Sequence, residues 1–327
     1  MPKWMKLFLK IGAIAVAIGL VLTVIGWFVG TEKNYTMQLK DGKLIVKCGS
    51  EDKQELPYTK LDSFTKIDVD MNSADIRFVK GDDFAIEYIV FGDEPIYSVE
   101  NDTLTVKREQ ENTIINWNLN FSFENNNQIT IYYPEDMTFE DVNVYNGYGD
   151  ITLSNNIIAD RVTVEAKNGD IHIEQVNGEL FVSSSYGDCV INGGYISDAK
   201  VELKNGSFNC RNTVFSGTTE FSNSYGDIDA SGCDFENLVV TMKNGSLNVS
   251  SGSVSGNVNL SNSYGDTSLN LQGIPDEAAY GYEIHNSYGD IRLNGNNYES
   301  KKVIEDSNAE NQIVVDSKNG DVNISIT

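Results

Sequence analysis

"NSYGDIRL" (residues 286–293) reads as a surface loop until it is set beside the rest of the chain. "NSYGDIDA" stands at 223–230, "NSYGDTSL" at 262–269, "SSYGDCVI" at 184–191 and "AKNGDIHI" at 166–173. The glycines of this phrase and its variants are 149, 169, 187, 206, 226, 245, 265, 289 and 320. Steps of 18 to 20 residues join the first seven, followed by wider steps of 24 and 31. A period near twenty is the signature of a solenoid made of stacked supersecondary units.

Counting from each glycine as zero, apolar residues recur at +2 and +4: Ile151 and Leu153, Ile171 and Ile173, Ile228 and Ala230, Ile291 and Leu293. They recur again at −7 and −5, as in Val142 and Val144, Val162 and Val164, Leu238 and Val240. Both sets alternate with polar neighbours, the pattern of half-buried strands. The inward phase slips by one residue across the glycine, which a straight strand cannot do without turning its apolar set to solvent. A bend therefore lies at the phrase, with glycine to accept its dihedrals and Asp at +1 to bond nearby backbone N–H groups. Val176, Ile196, Phe215, Phe235 and Val254 are the expected inward anchors of the less regular half of each coil. The fold class that follows is all-β, a single-stranded parallel β-solenoid with coils of about 20 residues.

The phrases alternate in kind. Tyr-Gly at 149, 187, 226, 265 and 289 takes turns with Lys-Asn-Gly at 169, 206, 245 and 320, except between 265 and 289. If coils stack in chain order, Tyr148, Tyr186, Tyr225 and Tyr264 recur every second layer, about 9.6 Å apart, with Tyr288 following. One reading makes them a packing device, large Tyr against small Asn; the other makes them an exposed aromatic ladder for a glycan or other polymer.

The flanks set the domain plan. Residues 11–30 carry no charge, enough to span a bilayer as one transmembrane helix. Lys3, Lys6 and Lys10 precede it, which places the N-terminus in the cytoplasm and the remainder outside. A cleaved signal peptide is the competing reading, against which the run is long and no clear A-x-A site follows. Residues 1–30 are thus the stub and anchor, 31–59 a tether, 60–140 a capping start of the solenoid and 141–327 the regular repeats. Placing Ala74 at the glycine position puts Ile67, Val69, Ile76 and Phe78 on the inward positions, a degenerate first coil. Further strands are expected at 84–90, 103–107, 117–123 and 128–133. The last strand, "VNISI", ends one residue before the C-terminus. Either 294–312 folds over its edge, or that edge pairs with a second copy in an edge-to-edge homo-oligomer.

Charge and composition narrow the chemistry. With 48 acidic against 24 basic residues, the surface repels nucleic acid and suits cationic peptides or weak divalent metal binding. Four cysteines without a CxxC pair give neither a disulfide framework nor a zinc site. Cys189 and Cys210 lie on neighbouring coils but offset along the strand, beyond disulfide reach. Asp150, Asp170, Asp188, Asp227 and Asp266 could be paired for glycoside hydrolysis. All occupy one turn position, though, and a repeated environment does not split two carboxyl pKa values. His172 and His285 fall on outward positions with no acidic partner implied. No catalytic residue, metal site or cofactor is assigned.

The stretches "SFTKIDVDMNSADIRFVKGDDFAIEYIV" (63–90), "YSVENDTLTVKRE" (97–109) and "ITIYYPEDMTFEDVNVYNGYGDI" (129–151), then the recurring coils, resemble the bacterial putative-adhesin family of unknown function. Its members include the membrane-anchored G protein of the Lia cell-envelope-stress operon. The resemblance covers residues 60–327 and the single N-terminal anchor, with Ala74 in place of glycine and Ser207 and Ser246 in place of aspartate. It implies a β-solenoid with a surface role and brings no catalytic residues. The expected function is a non-enzymatic, membrane-anchored binding or scaffold protein of the bacterial envelope, facing wall glycan, cationic peptide or an envelope protein. The alternatives are a β-helix carbohydrate-active enzyme and a structural spacer.

Overall fold

The computed structural model describes residues 53–108, 127–272, 280–299 and 301–326, the backbone of strands Tyr35–Lys40, Lys43–Cys48 and Ile115–Leu119, and the single residues Val16 and Gly19. No helix among these residues is long and apolar enough to cross a membrane. The expected anchor, residues 11–30, lies outside them apart from Val16 and Gly19.

The chain divides into two compact units, Met1–Lys53 with Gln110–Asn125, and Gln54–Glu109 with Asn126–Thr327. In the first, Tyr35–Lys40 pairs antiparallel with Lys43–Cys48 on one side and Ile115–Leu119 on the other. The strand expected at 117–123 as part of the cap is therefore found at 115–119 and grouped with the N-terminal residues. Its backbone partners are residues 35–39, which sequence periodicity could not supply.

The second unit is a stack of parallel β rungs. Ile151 lies beside Ile76 in one neighbouring layer and Ile171 in the other, and Val142 lies between Ile67 and Val162. The same register runs on through Cys189, Phe208, Ile228, Leu247 and Thr267. Every inward residue named from the period is buried, as are Val176, Ile196, Phe215, Phe235 and Val254. Apolar strips that one rung could not shelter thus merge into a continuous core, where Phe215 stacks on Phe235 at 5.0 Å between ring centres.

The bend has a specific cause. Gly206 sits at φ +139°, and a Cβ there would lie 1.9 Å from the carbonyl oxygen of Gly187 in the layer beneath. Only a residue without a side chain satisfies both the left-handed dihedral and the approach. Ala74 takes the position in the first full layer, and its φ is not positive. Within each layer the glycine N–H donates to the −1 carbonyl of the next layer, as Gly187 does to Asn205 and Gly206 to Tyr225.

A second alternation runs inside. In the Tyr-Gly layers Asn146, Asn223, Asn262 and Asn286 at −3 are buried, three of them donating Nδ2 to their own glycine carbonyl. The same Nδ2 groups also reach the layer beneath, Asn223 to the Gly206 carbonyl at 2.9 Å and Asn286 to that of Gly320 at 3.0 Å. Coil 187 departs from this, with Ser184 at that position. In three of the Lys-Asn-Gly layers the amide is at −1 instead, where Asn205, Asn244 and Asn319 donate to the carbonyls of Ser185, Ser224 and Ser263.

Chain order and stacking order part company at the end. After the layer of Gly265 the next is that of Gly320, and the layer of Gly289 lies outside it. The final strand Val322–Ile326 is thus clasped between Thr267–Leu271 and Ile291–Leu293, with Ile324 beside Leu269 and Leu293. It is not an edge. In this order the alternation at −1 is unbroken: Tyr264, Asn319, Tyr288. The outermost layer is covered by antiparallel strands, Asn296–Tyr298 on Ile291–Leu293 and Lys302–Glu305 on Tyr280–Tyr288. The other end is closed alike: strands Thr103–Lys107 and Gln128–Pro134 flank the first coil and pair antiparallel with Ile96–Glu100 and Ala85–Phe91.

Three substitutions test this account. Gly206→Ala should destabilise by about 3 kcal/mol or more, whereas Gly295→Ala, with open space around a φ of +80°, should cost about 1–2 kcal/mol. Ile324→Asp should lower stability by about 4 kcal/mol or more, because a charge is buried without a partner. Denaturant midpoints measure all three, and an unchanged midpoint for Ile324→Asp would return that strand to the surface.

Candidate functional site

The glycine corner presents three neighbouring columns on the outside of the stack. At +1, the aspartates are committed to structure. Asp150 Oδ1 accepts the backbone N–H of Asp170 at 2.8 Å, Asp170 that of Asp188 at 2.8 Å, and Asp188 that of Ser207 at 2.7 Å. Asp227 does the same for Ser246, Asp266 for Asp321 and Asp321 for Asp290. Ser stands at 207 and 246, and no carboxylate bond to the next layer issues from it there. The column is a hydrogen-bond ladder between rungs, which accounts for each aspartate proposed above as an acid–base candidate.

At −1, Tyr148, Tyr186, Tyr225, Tyr264 and Tyr288 all project outward and are 58% to 72% exposed. The asparagines sit between them in register: Tyr148 beside Asn168, Tyr225 between Asn205 and Asn244, Tyr264 and Tyr288 on either side of Asn319. The tyrosines are therefore on alternate layers, about 9.6 Å apart. The layers between them carry the smaller asparagine at this position.

At −2, Lys167, Lys204, Lys243 and Lys318 occupy the asparagine layers, all exposed. Lys167 places Nζ 5.4 Å from the centre of the Tyr145 ring in a cation–π contact, and its side-chain hydrogen bond to Tyr145 raises its pKa. The corner thus offers aromatic rings, primary amides and ammonium groups at a fixed repeat on a rigid backing.

The histidines differ from expectation in one respect. His172 is exposed, but His285 Nε2 lies 3.2 Å from Glu283 Oε1, two residues along the same strand. His285 and then Lys302 hold the Glu283 carboxyl below its usual range. Periodicity located both side chains outward but could not tell that they lean together.

The cysteines form a pair the spacing did not suggest. Cys210 and Cys233 are buried with Sγ atoms 3.5 Å apart, because the second corner of the coil brings Cys233 back over its neighbour. Cys189 is buried separately, and burial pushes both its thiol and that of Cys210 up. Among the described residues no cluster of three or more His, Cys, Asp or Glu is arranged to hold a metal ion.

The Toastrack DUF4097 family matches residues 64–325, and the chain belongs to that family. No curated protein matches it. Among solved structures, a putative cell adhesion protein from Clostridium sporogenes is 11% identical with a TM-score of 0.25, covering 85% of this chain and 100% of its own. A putative lipid binding protein from Parabacteroides distasonis is 13% identical with a TM-score of 0.47, covering 84% and 97%. A putative adhesin from Bacteroides fragilis is 13% identical with a TM-score of 0.32, covering 84% and 97%. At such values these likenesses carry no argument about activity or ligand.

Thiolate is the reactive form of cysteine, and burial with a raised pKa suppresses it. Iodoacetamide should therefore leave Cys189 and Cys210 unmodified in the native protein at neutral pH and label them on unfolding, as read by peptide mass spectrometry; the hydrogen bond with Cys210 lowers the Cys233 pKa, so its protection rests on burial alone.

Proposed function

We propose that this chain is a membrane-anchored β-solenoid on the outer side of a bacterial cell membrane, acting as a non-enzymatic binding or scaffold protein of the envelope. Its resemblance to the membrane-anchored protein of the Lia operon and the uncharged stretch 11–30 support the anchor and an envelope-stress setting. One observation carries the binding role: five exposed tyrosines in a single column, evenly placed by the two-layer repeat. Large apolar rings held in water at fixed intervals cost solubility and gain nothing for the core, so their value lies with a partner. An extended polymer with a regular repeat, such as a wall glycan, meets several rings at once, and weak contacts then add through multivalency. A cationic peptide or envelope protein is the other kind of partner the acidic surface suits. Nucleic acid is not, because its phosphates meet a net charge of −24.

The carbohydrate-active enzyme is the lesser reading, since the aspartates it requires are spent on neighbouring backbone N–H groups.

Sedimentation of the full chain in detergent with purified wall glycan tests the proposal. The protein should co-sediment and leave the glycan at its original length. Replacing Tyr186 and Tyr225 with Ala should weaken retention about tenfold, two aromatic contacts' worth, with an unchanged melting temperature. Shortened glycan would favour the enzyme, and retention indifferent to the tyrosines would remove the ladder from the binding face.

A further inference from the structure

The second corner of the coil, six residues after the glycine, holds another column in left-handed conformation. Asn155, Gln175, Asn212 and Ser251 have φ between 50° and 68°, and Gly193 and Gly232 take the same place at 78° and 64°. Asparagine tolerates this conformation among side-chain-bearing residues. Gly194 is compelled to be glycine, since a Cβ would meet the Val176 carbonyl oxygen at 2.1 Å. Gly193 is not. The closest atom to a Cβ there is the flexible Gln175 Cγ at 3.3 Å, and the Asn212 oxygen is 3.9 Å away.

A notch lies beside Gly193. A hollow of about 570 Å³ opens across neighbouring layers, lined chiefly by Asn155, Glu174, Gln175, Asn192, Tyr195 and Asn212. Tyr195 stands at its rim with 71% of its surface exposed. Among the described residues, no hydrogen bond within the protein engages the side chains of Asn155, Glu174, Gln175, Asn192 or Asn212. Four amides and one carboxylate, all exposed, thus line the hollow with no hydrogen-bond partner in the protein, beside the exposed ring of Tyr195.

We propose that this notch is a binding subsite for a neutral saccharide unit. A pyranose ring presents an apolar C–H face that suits Tyr195 and a rim of hydroxyls that each donate and accept. Amides supply both roles from one side chain, and a carboxylate accepts two hydroxyls at once. Glu174 is the one ionised side chain lining the hollow, so a uronic or sulfated sugar is repelled. The concavity and the few convergent polar groups are what a small-ligand site requires. The site is at the second corner, six residues along the coil from the phrase glycine, and does not depend on the tyrosine column binding anything.

Calorimetry and saturation-transfer NMR on the full chain in detergent test it, with cellotetraose and tetra-N-acetylchitotetraose as neutral probes and polygalacturonate as the acidic one. At least one neutral probe should bind with a millimolar or tighter Kd and show its ring protons nearest the protein. Tyr195→Ala should weaken that affinity about tenfold. Gly193→Asn refills the column with the residue used at 155 and 212, so it should fold normally and abolish binding. Tyr186 and Tyr225 stay intact in both notch variants, so affinity lost on Tyr195→Ala or Gly193→Asn belongs to the notch and not to the ladder. Absence of neutral-probe binding, binding indifferent to both notch variants, or tighter binding of polygalacturonate would each overturn the proposal.

Discussion

The structure depends on how closely successive backbones approach at one corner. The oxygen of each phrase glycine occupies the space where the next layer's glycine would carry its Cβ, at 1.9 to 2.2 Å over most of the stack. That approach lets the −1 carbonyl, the glycine N–H and the +1 carboxylate of neighbouring layers meet in an unbroken file. With the corner in register, the strands on both sides pair residue for residue. Hydrophobic burial then follows, because inward positions of every layer fall in line and water has no path between them.

This corner also divides labour among side chains. Aspartate at +1 and asparagine at −3 or −1 spend their polarity on backbone groups of adjacent layers, so they read as structural although they look like functional residues. Tyrosine and lysine at the same corner have no such duty and project into solvent. A repeated fold can in this way keep a constant interior grammar while the outward positions are free to form a recognition surface. The second corner shows the same freedom locally, where Asn155, Gln175, Gly193, Asn212, Gly232 and Ser251 share one conformation and a hollow opens beside Gly193.

The ends of the stack solve a different problem. A pile of parallel rungs leaves unpaired N–H and C=O groups on its first and last layers, a template for aggregation. Both ends are closed by antiparallel strands, and the C-terminal strand is placed one layer inside. Inserting the final rung between two that precede it in sequence ties the end of the chain into the core, with Ile324 covered on both sides.

The period of twenty, the two inward phases and the slip at glycine were enough to name every buried residue of those columns, because burial in a repeat is imposed by local alternation and one backbone corner. The first coil at Ala74 was legible for the same reason. The order of the last layers was written in the Tyr/Asn alternation, yet it became readable only with the pairing of 311–326 in hand, since chain order and spatial order differ there. Contacts between residues brought together by a second bend were out of reach: Cys210 with Cys233, and the open hollow at Gly193. The tyrosine column was visible as spacing, but whether it faced core or water turned on backbone rotation at the corner, a quantity that tertiary packing sets and one-dimensional alternation does not contain.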